Sequence, residues 1–236
     1  ALQLLGLIRR RAGDLAGAEQ ALRASIEAAP QRAEFHANLG NLMRAAGRPA
    51  DAEFSYRMAL AKDPAFTPAA LGLVRVLNDA GHFTHAEKEA RALLARQPAN
   101  AEAHCALGIA LRGRDRLAEA ESCYRRALEL KPGYAVAHHN LGALLAQQQR
   151  AGQALEQLEK AAGLGLRGRE LAFNRGRVLA DLGRFDEAER AYLESLASDP
   201  AYLDGQVALA KLRYMRGDPA FDRDLARASA ARLDDP

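Results

Sequence analysis

Apolar and small residues return at helical spacing through Leu107, Gly108, Ile109 and Leu111, and break over Gly113 to Arg116. They resume through Leu117, Ala120, Tyr124, Ala127 and Leu128, and stop at Pro132. Steps of three and four between apolar positions mark one helix face, glycine and charged residues end such a face, and proline bars its continuation. The stretch predicts helix, short turn, helix, stop. The pattern then restarts: Leu107-Gly108 returns as Leu141-Gly142 and His104 as His138, each 34 residues later. Self-similarity at a fixed period outranks any estimate of domain number from length.

Stepped by 34 residues, the small residue of each second helix reads Ala18, Ala52, Ala86, Ala120, Ala154 and Ala188, failing at Asp222. The apolar anchor of each first helix reads Leu5, Leu39, Leu73, Leu107, Leu141, Arg175 and Leu209. Its neighbour reads Gly6, Gly40, Val74, Gly108, Gly142, Gly176 and Ala210, which keeps that spot small enough for a second helix to approach. Gly13, Gly47, Gly81, Gly183 and Gly217 mark the turn, with Asp115 and Gln149 as exceptions, as a left-handed residue closing the first helix requires. The stop reads Pro30, Pro64, Pro98, Pro132, Leu166, Pro200 and Asp234.

With these positions the chain resembles the tetratricopeptide repeat, a helix-turn-helix unit patterned W-x2-L-G-x2-Y, A-x3-F, P. The resemblance spans units 1–32, 33–66, 67–100, 101–134, 135–168, 169–202 and a degenerate, capping 203–236 without insertion. The expected fold is therefore all-α, a right-handed α-solenoid of about seven repeats in one array. Where the pattern has Trp, this chain has His36, Ala70, His104, His138, Ala172 and Gln206, so smaller side chains serve the helix contacts. The fifth unit ends in GLGLRGRE without its proline, so the junction to the sixth is expected to be looser or differently angled. By resemblance, first helices line the concave side of the superhelix and second helices the convex side, and no unit is stable alone.

Composition fits a water-exposed helical array, with 49% hydrophobic and 27% charged residues, mean hydropathy −0.27 and no Trp. Net charge is only +3 with a pI near 9.0, too small an excess to imply nucleic acid by itself. Cys105 and Cys123 have neither zinc-site nor redox-motif spacing, and read as free thiols in small apolar roles. No apolar run approaches the roughly 18 residues of a membrane span. The expected compartment is the cytoplasm; the chain also begins inside a helix, as a piece cut from a longer protein would, and a signal in missing upstream residues is compatible with it. Leu2, Leu4, Leu5, Leu7 and Ile8 form an apolar face without a preceding helix, which suggests a capping partner or self-association through terminal helices.

Among candidate chemical groups, His36, His104 and His138 share one register, with His139 beside the last. Equivalent residues of stacked repeats lie roughly 10 Å apart, too far to share one metal ion, so packing in place of the aromatic is expected. His82, His85 and Glu87 flank a turn, where solvation is expected. There is no nucleophile–base pairing, phosphate-cradling glycine loop or HExxH, so no catalytic residue, metal or cofactor is assigned.

Recognition belongs to the expected concave face. Helical spacing places Leu7, Asn41, Arg75, Ile109, Ala143, Arg177 and Lys211 on one stripe, with Arg10, Arg44, Asn78, Arg112, Ala146, Ala180 and Tyr214 a turn further on. Second helices hold Glu119, Glu121, Glu129, Asp186, Glu187, Glu189 and Glu194. This segregation of sign favours an acidic or C-terminal carboxylate-bearing peptide in the groove, against the plainer reading of an Arg-rich helix surface. Asn38, Asn140 and Asn174 form a second register, broken at Gly72 and Ala106, whose amides could clamp a peptide backbone. It is similar, in fragments, to the asparagine ladder of O-linked N-acetylglucosamine transferases. Nucleic acid is disfavoured, because Phe173 and Tyr214 are the few aromatics available for stacking.

The expected function is a non-catalytic protein-interaction scaffold using Asn38, Asn41, Arg44, Arg75, Arg112, Asn140, Phe173, Asn174, Arg177, Lys211 and Tyr214. The alternative is the substrate-recognition region of a larger bacterial glycosyltransferase, sulfotransferase or iron/2-oxoglutarate oxygenase, with catalysis outside this chain. If Ala120 marks a helix crossing, Ala120→Leu overpacks it and lowers stability by roughly 1–3 kcal/mol; unchanged thermal unfolding would refute the register.

Overall fold

The computed structural model describes residues 1–218 and 221. Among the described residues there are thirteen α-helices and no strand, in two compact units, Ala1–Leu130 and Lys131–Pro236. The N-terminal unit holds α1 (Leu2–Arg11), α2 (Leu15–Ala28), α3 (Ala33–Ala45), α4 (Pro49–Lys62), α5 (Thr67–Asp79), α6 (Phe83–Arg96), α7 (Ala101–Gly113) and α8 (Leu117–Leu130). The C-terminal unit holds α9 (Ala135–Gln147), α10 (Ala151–Gly163), α11 (Arg169–Asp181), α12 (Phe185–Ser198) and α13 (Leu203–Met215). Odd-numbered helices are the first helices of the repeats and even-numbered ones the second, an α-solenoid of helix-turn-helix units. Expectations for Asp222, Asp234 and the capping end of the seventh repeat lie outside the described residues.

The turn between the two helices of each of the first six repeats passes through a left-handed residue, and Gly217 after α13 has the same conformation. Gly13, Gly47, Gly81, Gly183 and Gly217 have φ between 66° and 82°, and the two non-glycine exceptions, Asp115 and Gln149, adopt the same conformation at 59° and 60°. A short aspartate side chain tolerates it; Gln149 holds it at a steric cost.

Close crossing within each repeat depends on a matched pair sixteen residues apart. A methyl group on Gly40 would lie 2.8 Å from the Tyr56 ring, on Gly108 2.6 Å from Tyr124, and on Gly176 2.6 Å from Tyr192. Gly6 and Gly142 face Leu22 and Leu158 at 2.8 Å in the same way. In the third repeat the volumes are exchanged, with Val74 on the first helix and Ala90 on the second, both buried. The Tyr56 ring also fills the space left by Gly72 of the following repeat.

A second recurring contact gives the histidines their role. The carbonyl of the stop proline accepts a hydrogen bond from the side chain six residues later: His36 Nε2 to Pro30 at 3.0 Å, His104 to Pro98 at 2.8 Å, His138 to Pro132 at 2.9 Å and Gln206 to Pro200 at 2.7 Å. Where alanine stands at that position a guanidinium substitutes, Arg96 donating to the Pro64 carbonyl and Arg167 to that of Leu166 at 2.7 Å. Arg167 also donates to the Ala162 carbonyl at 2.6 Å, within the proline-less junction.

Glu87 corrects the expectation of a solvated turn. It is buried on α6, with a side chain 9% exposed, and accepts from Arg91 at 2.8 Å, from Arg116 at 2.7 and 2.9 Å and from Arg114, tying α6 to the α7–α8 turn. His82 and His85 are exposed, with ring centroids 6.5 Å apart. Burial would raise the Glu87 carboxyl, but the hydrogen bonds from Arg91, Arg116 and Arg114 outweigh it and hold the pKa at about 2 against an ordinary 4.5. A depressed carboxylate contributes stability in full above its unfolded pKa and loses it as pH falls through its folded one. Glu87→Gln should therefore cost about 2 kcal/mol at neutral pH, a deficit that shrinks as pH falls from 4.5 toward 2. Denaturation curves showing a pH-independent deficit would contradict this.

The tyrosines generate a paired test. Tyr56 donates its hydroxyl to Asn41 Oδ1 at 2.8 Å, whereas the buried Tyr124 hydroxyl has no partner among the described residues, because Ile109 stands where the second repeat has Asn41. Tyr56→Phe should cost about 1 kcal/mol, and Tyr124→Phe should be neutral or stabilising by a similar amount. Equal losses in chemical denaturation would show that the hydroxyl environments do not matter.

Candidate functional site

In the N-terminal unit the glycine-ring crossing decides what reaches the first-helix face. Asn41 follows Gly40, so the Tyr56 ring that fills the glycine's space ends at the Asn41 amide. Burial pushes the Tyr56 phenol above its ordinary pKa, and the positive charges of Arg44, Arg75 and Arg10 pull against it. Arg44 pairs with Asp79 at 3.6 Å and Arg75 with Glu102 at 2.5 Å; both pairs are substantially exposed. Arg112, exposed at the end of α7, makes no ion pair among the described residues.

The asparagine register is divided among internal contacts. Asn38 donates to Gln3 Oε1 at 2.9 Å, and Gln3 in turn donates to Ser25 Oγ at 2.6 Å. The break at Gly72 is required by the Tyr56 ring, and at Ala106 the backbone carbonyl is taken by Asn78 Nδ2 at 2.9 Å. Asn78 is a buried cross-repeat tie, hidden in the sequence among the stripe of first-helix residues.

In the C-terminal unit, Asn140 is half-buried and Asn174 Nδ2 lies 3.5 Å from His139 Nε2. Phe173 packs into the core, with ring centroids 5.9 Å from Tyr192 and 5.3 Å from Tyr202. Tyr214, 68% exposed and 4.9 Å from Phe221, and Lys211, also exposed, remain at the surface. The Arg177 Nε is closed off from solvent with no hydrogen-bond partner among the described residues. Tyr192 nearby is pushed up to about 12, by burial first and then by Asp181, with Arg177 opposing.

The acidic residues of the second helices are neutralised where they stand. Arg116 pairs with Glu119 at 2.6 Å, Arg125 with Glu121 at 2.8 Å, Arg126 with Glu129 at 2.8 Å and Arg184 with Glu187 at 2.7 Å. Asp186 and Glu189 are met by Arg216 at 2.7 and 3.1 Å, and Glu194 by Arg175 at 3.2 Å. Segregation of sign between first and second helices is thus weaker than the residue counts imply, and what distinguishes positions is whether a charge has a partner.

Among the described residues no group of three or more His, Cys, Asp or Glu side chains could hold a metal ion, and no helix is long and apolar enough to cross a membrane. Cys105 is buried and Cys123 half-buried, both free, with burial raising the Cys123 thiol.

The tetratricopeptide repeat family matches residues 4–65 and 71–135, and further versions of the repeat match residues 135–160 and 169–202. No curated protein matches the chain. Among solved structures, a chain of the APC/C hetero-tetramer Cut9–Hcn1 superposes with TM-score 0.85 at 15% identity over 94% of this chain and 46% of that one, so this chain spans under half of it. A thermophilic tetratricopeptide repeat protein from Thermus thermophilus gives TM-score 0.66 at 26% identity, over 76% of this chain and 98% of that one. PilF of Pseudomonas aeruginosa gives TM-score 0.71 at 20% identity, over 89% of this chain and 96% of that one. With the repeat positions accounted for by packing and more than half of the chain matched by one version of the repeat, the chain belongs to the tetratricopeptide repeat family.

Proposed function

We propose that the chain is a non-catalytic interaction scaffold whose first-helix face in the N-terminal unit binds an acidic peptide segment of a partner protein. The observation that carries this reading is exposed Arg44, one turn from Asn41 on α3, with Arg75 at the register of Asn41 on α5, each held only by an exposed ion pair. A guanidinium offers paired donors matched to a carboxylate. The pairs already present do not block a guest: side chains 43% and 39% exposed, as in Arg75–Glu102, form a bond worth at most about 1 kcal/mol, which a better-placed carboxylate can displace. Asn41 uses its carbonyl for Tyr56 and keeps its amide N–H groups to donate to a guest backbone. Arg112 adds an exposed cation with no ion-pair partner among the described residues. Asn140, Asn174, Lys211 and Tyr214 are proposed to serve the C-terminal unit in the same way, with Phe173 holding the core beneath them.

The test is anisotropy titration of the full chain with a fluorescein-labelled, capped peptide of alternating Glu and Gly. Arg75→Glu with Arg112→Glu should weaken binding at least tenfold. Arg125→Glu with Arg126→Glu, the same change of net charge on a second helix, should leave it within twofold. Equal losses from the two pairs would reduce the effect to net charge and overturn the site.

A further inference from the structure

Three repeats separate α5 from α11, and the two helices carry the same charges at the same places: Arg75 and Asp79 on one, Arg177 and Asp181 on the other. In the N-terminal unit both are met by neighbouring helices. Arg44 of α3 reaches Asp79 at 3.6 Å, and Glu102 of α7 reaches Arg75 at 2.5 Å. The equivalent neighbours in the C-terminal unit are Ala146 of α9, which has no charge to offer, and Asp204 of α13, one methylene shorter than glutamate. Neither Arg177 nor Asp181 makes an ion pair among the described residues, and the buried Arg177 Nε has no hydrogen-bond partner among them.

Beside Ala146, which holds the register of Arg44, the C-terminal unit has a cavity of about 580 Å³ lined by Ala146, Gln147, Gln149, Ala151, Arg177 and Asp181. Two further replacements supply polar groups to it, because Gln147 and Gln149 stand where the N-terminal unit has Ala45 and Gly47. Gln149 is held at φ 60°, a conformation that glycine takes without strain in five other turns. Retention of a strained side chain at the rim of a cavity points to use of that side chain. A guanidinium nitrogen buried without a partner is costly in the empty state, and a ligand that satisfies it recovers that cost on binding.

The complement of the cavity follows from what the N-terminal unit supplies internally: a guanidinium opposite the aspartate and a carboxylate opposite the arginine. A ligand with one charge would meet only one of the two side chains. We propose that this cavity binds a dipolar peptide element, a basic and an acidic side chain close in sequence, with the basic group on Asp181 and the carboxylate on Arg177. The amides of Gln147 and Gln149 donate to and accept from the peptide backbone. The proposal rests on the scaffold reading above in taking the guest to be a peptide. It differs in the unit it occupies and in the charge of the guest.

The full chain is titrated with labelled, capped peptides containing one Arg and one Glu separated by no, one or two alanines, each against an isostere with Gln at both places. One dipolar peptide should bind at least tenfold more tightly than its isostere and than the peptide retaining Glu alone. Ala146→Arg, which supplies the side chain that Arg44 supplies in the N-terminal unit, should remove that preference. Asp181→Asn, an isosteric change at an exposed residue, should remove it with the helical circular dichroism unchanged, and covers the case in which Ala146→Arg does not fold. Persistence of the preference in Asp181→Asn, or its absence in the parent chain, overturns the proposal. Arg75→Glu with Arg112→Glu leaves the cavity intact and should not alter this preference, so failure here and failure of the acidic-peptide site are separately visible.

Discussion

In the first six repeats one helix must be bare where a larger side chain of the other crosses it. Five glycines meet this condition against Leu22, Tyr56, Tyr124, Leu158 and Tyr192, and the third repeat meets it in reverse with Val74 and Ala90. Total volume at the crossing is what matters, since interiors packed at crystal density tolerate redistribution of volume far better than its addition. Asn41, Ile109 and Arg177 each follow the glycine of their repeat, and at Asn41 the side chain meets the hydroxyl of the crossing tyrosine, so a core constraint also fixes what neighbours the crossing.

That condition was legible in the sequence as a column of glycines, because helix packing repeats with the chain and writes itself at a fixed period. The exchange at Val74 and Ala90 was less so, since it becomes visible only when two columns are compared at once. The histidines illustrate a similar limit. Their shared register was evident, while their partner, a proline carbonyl six residues upstream, presents no side chain to notice. A signal was there in the spacing from Pro30 to His36, Pro98 to His104, Pro132 to His138 and Pro200 to Gln206.

Electrostatics was the least legible part. Residue types placed bases on first helices and acids on second helices, but pairing depends on which side chains meet across helices and turns, and that is set by the packing. Glu87 sits next to two turn histidines in sequence and is enclosed by arginines from elsewhere. Exposed pairs contribute little to stability, so most of the ion pairs on these surfaces can be exchanged for contacts with a partner at small cost. A buried, enclosed carboxylate such as Glu87 cannot, and belongs to the fold.

The tyrosine rings and their hydroxyls therefore answer to different surroundings. The tyrosine rings of the second, fourth and sixth repeats fill the spaces left by glycines, and this contribution is indifferent to what lies beyond the hydroxyl. The Tyr56 hydroxyl meets the amide of Asn41, the Tyr124 hydroxyl has no partner among the described residues, and Arg177 acts electrostatically on Tyr192. Leucine fills the same crossing at Leu22 and Leu158 with no polar atom to satisfy, so space within one repeat does not explain why tyrosine is used. The reach of an aromatic ring is what leucine lacks. Tyr56 extends past Gly40 to the space of Gly72 in the following repeat, and Ala208, at the corresponding place in the C-terminal unit, packs against the core that contains Tyr192. The Tyr56 ring thus joins successive repeats, and the residue at the register of Asn41 changes from repeat to repeat while the glycine–side-chain crossing beside it is kept.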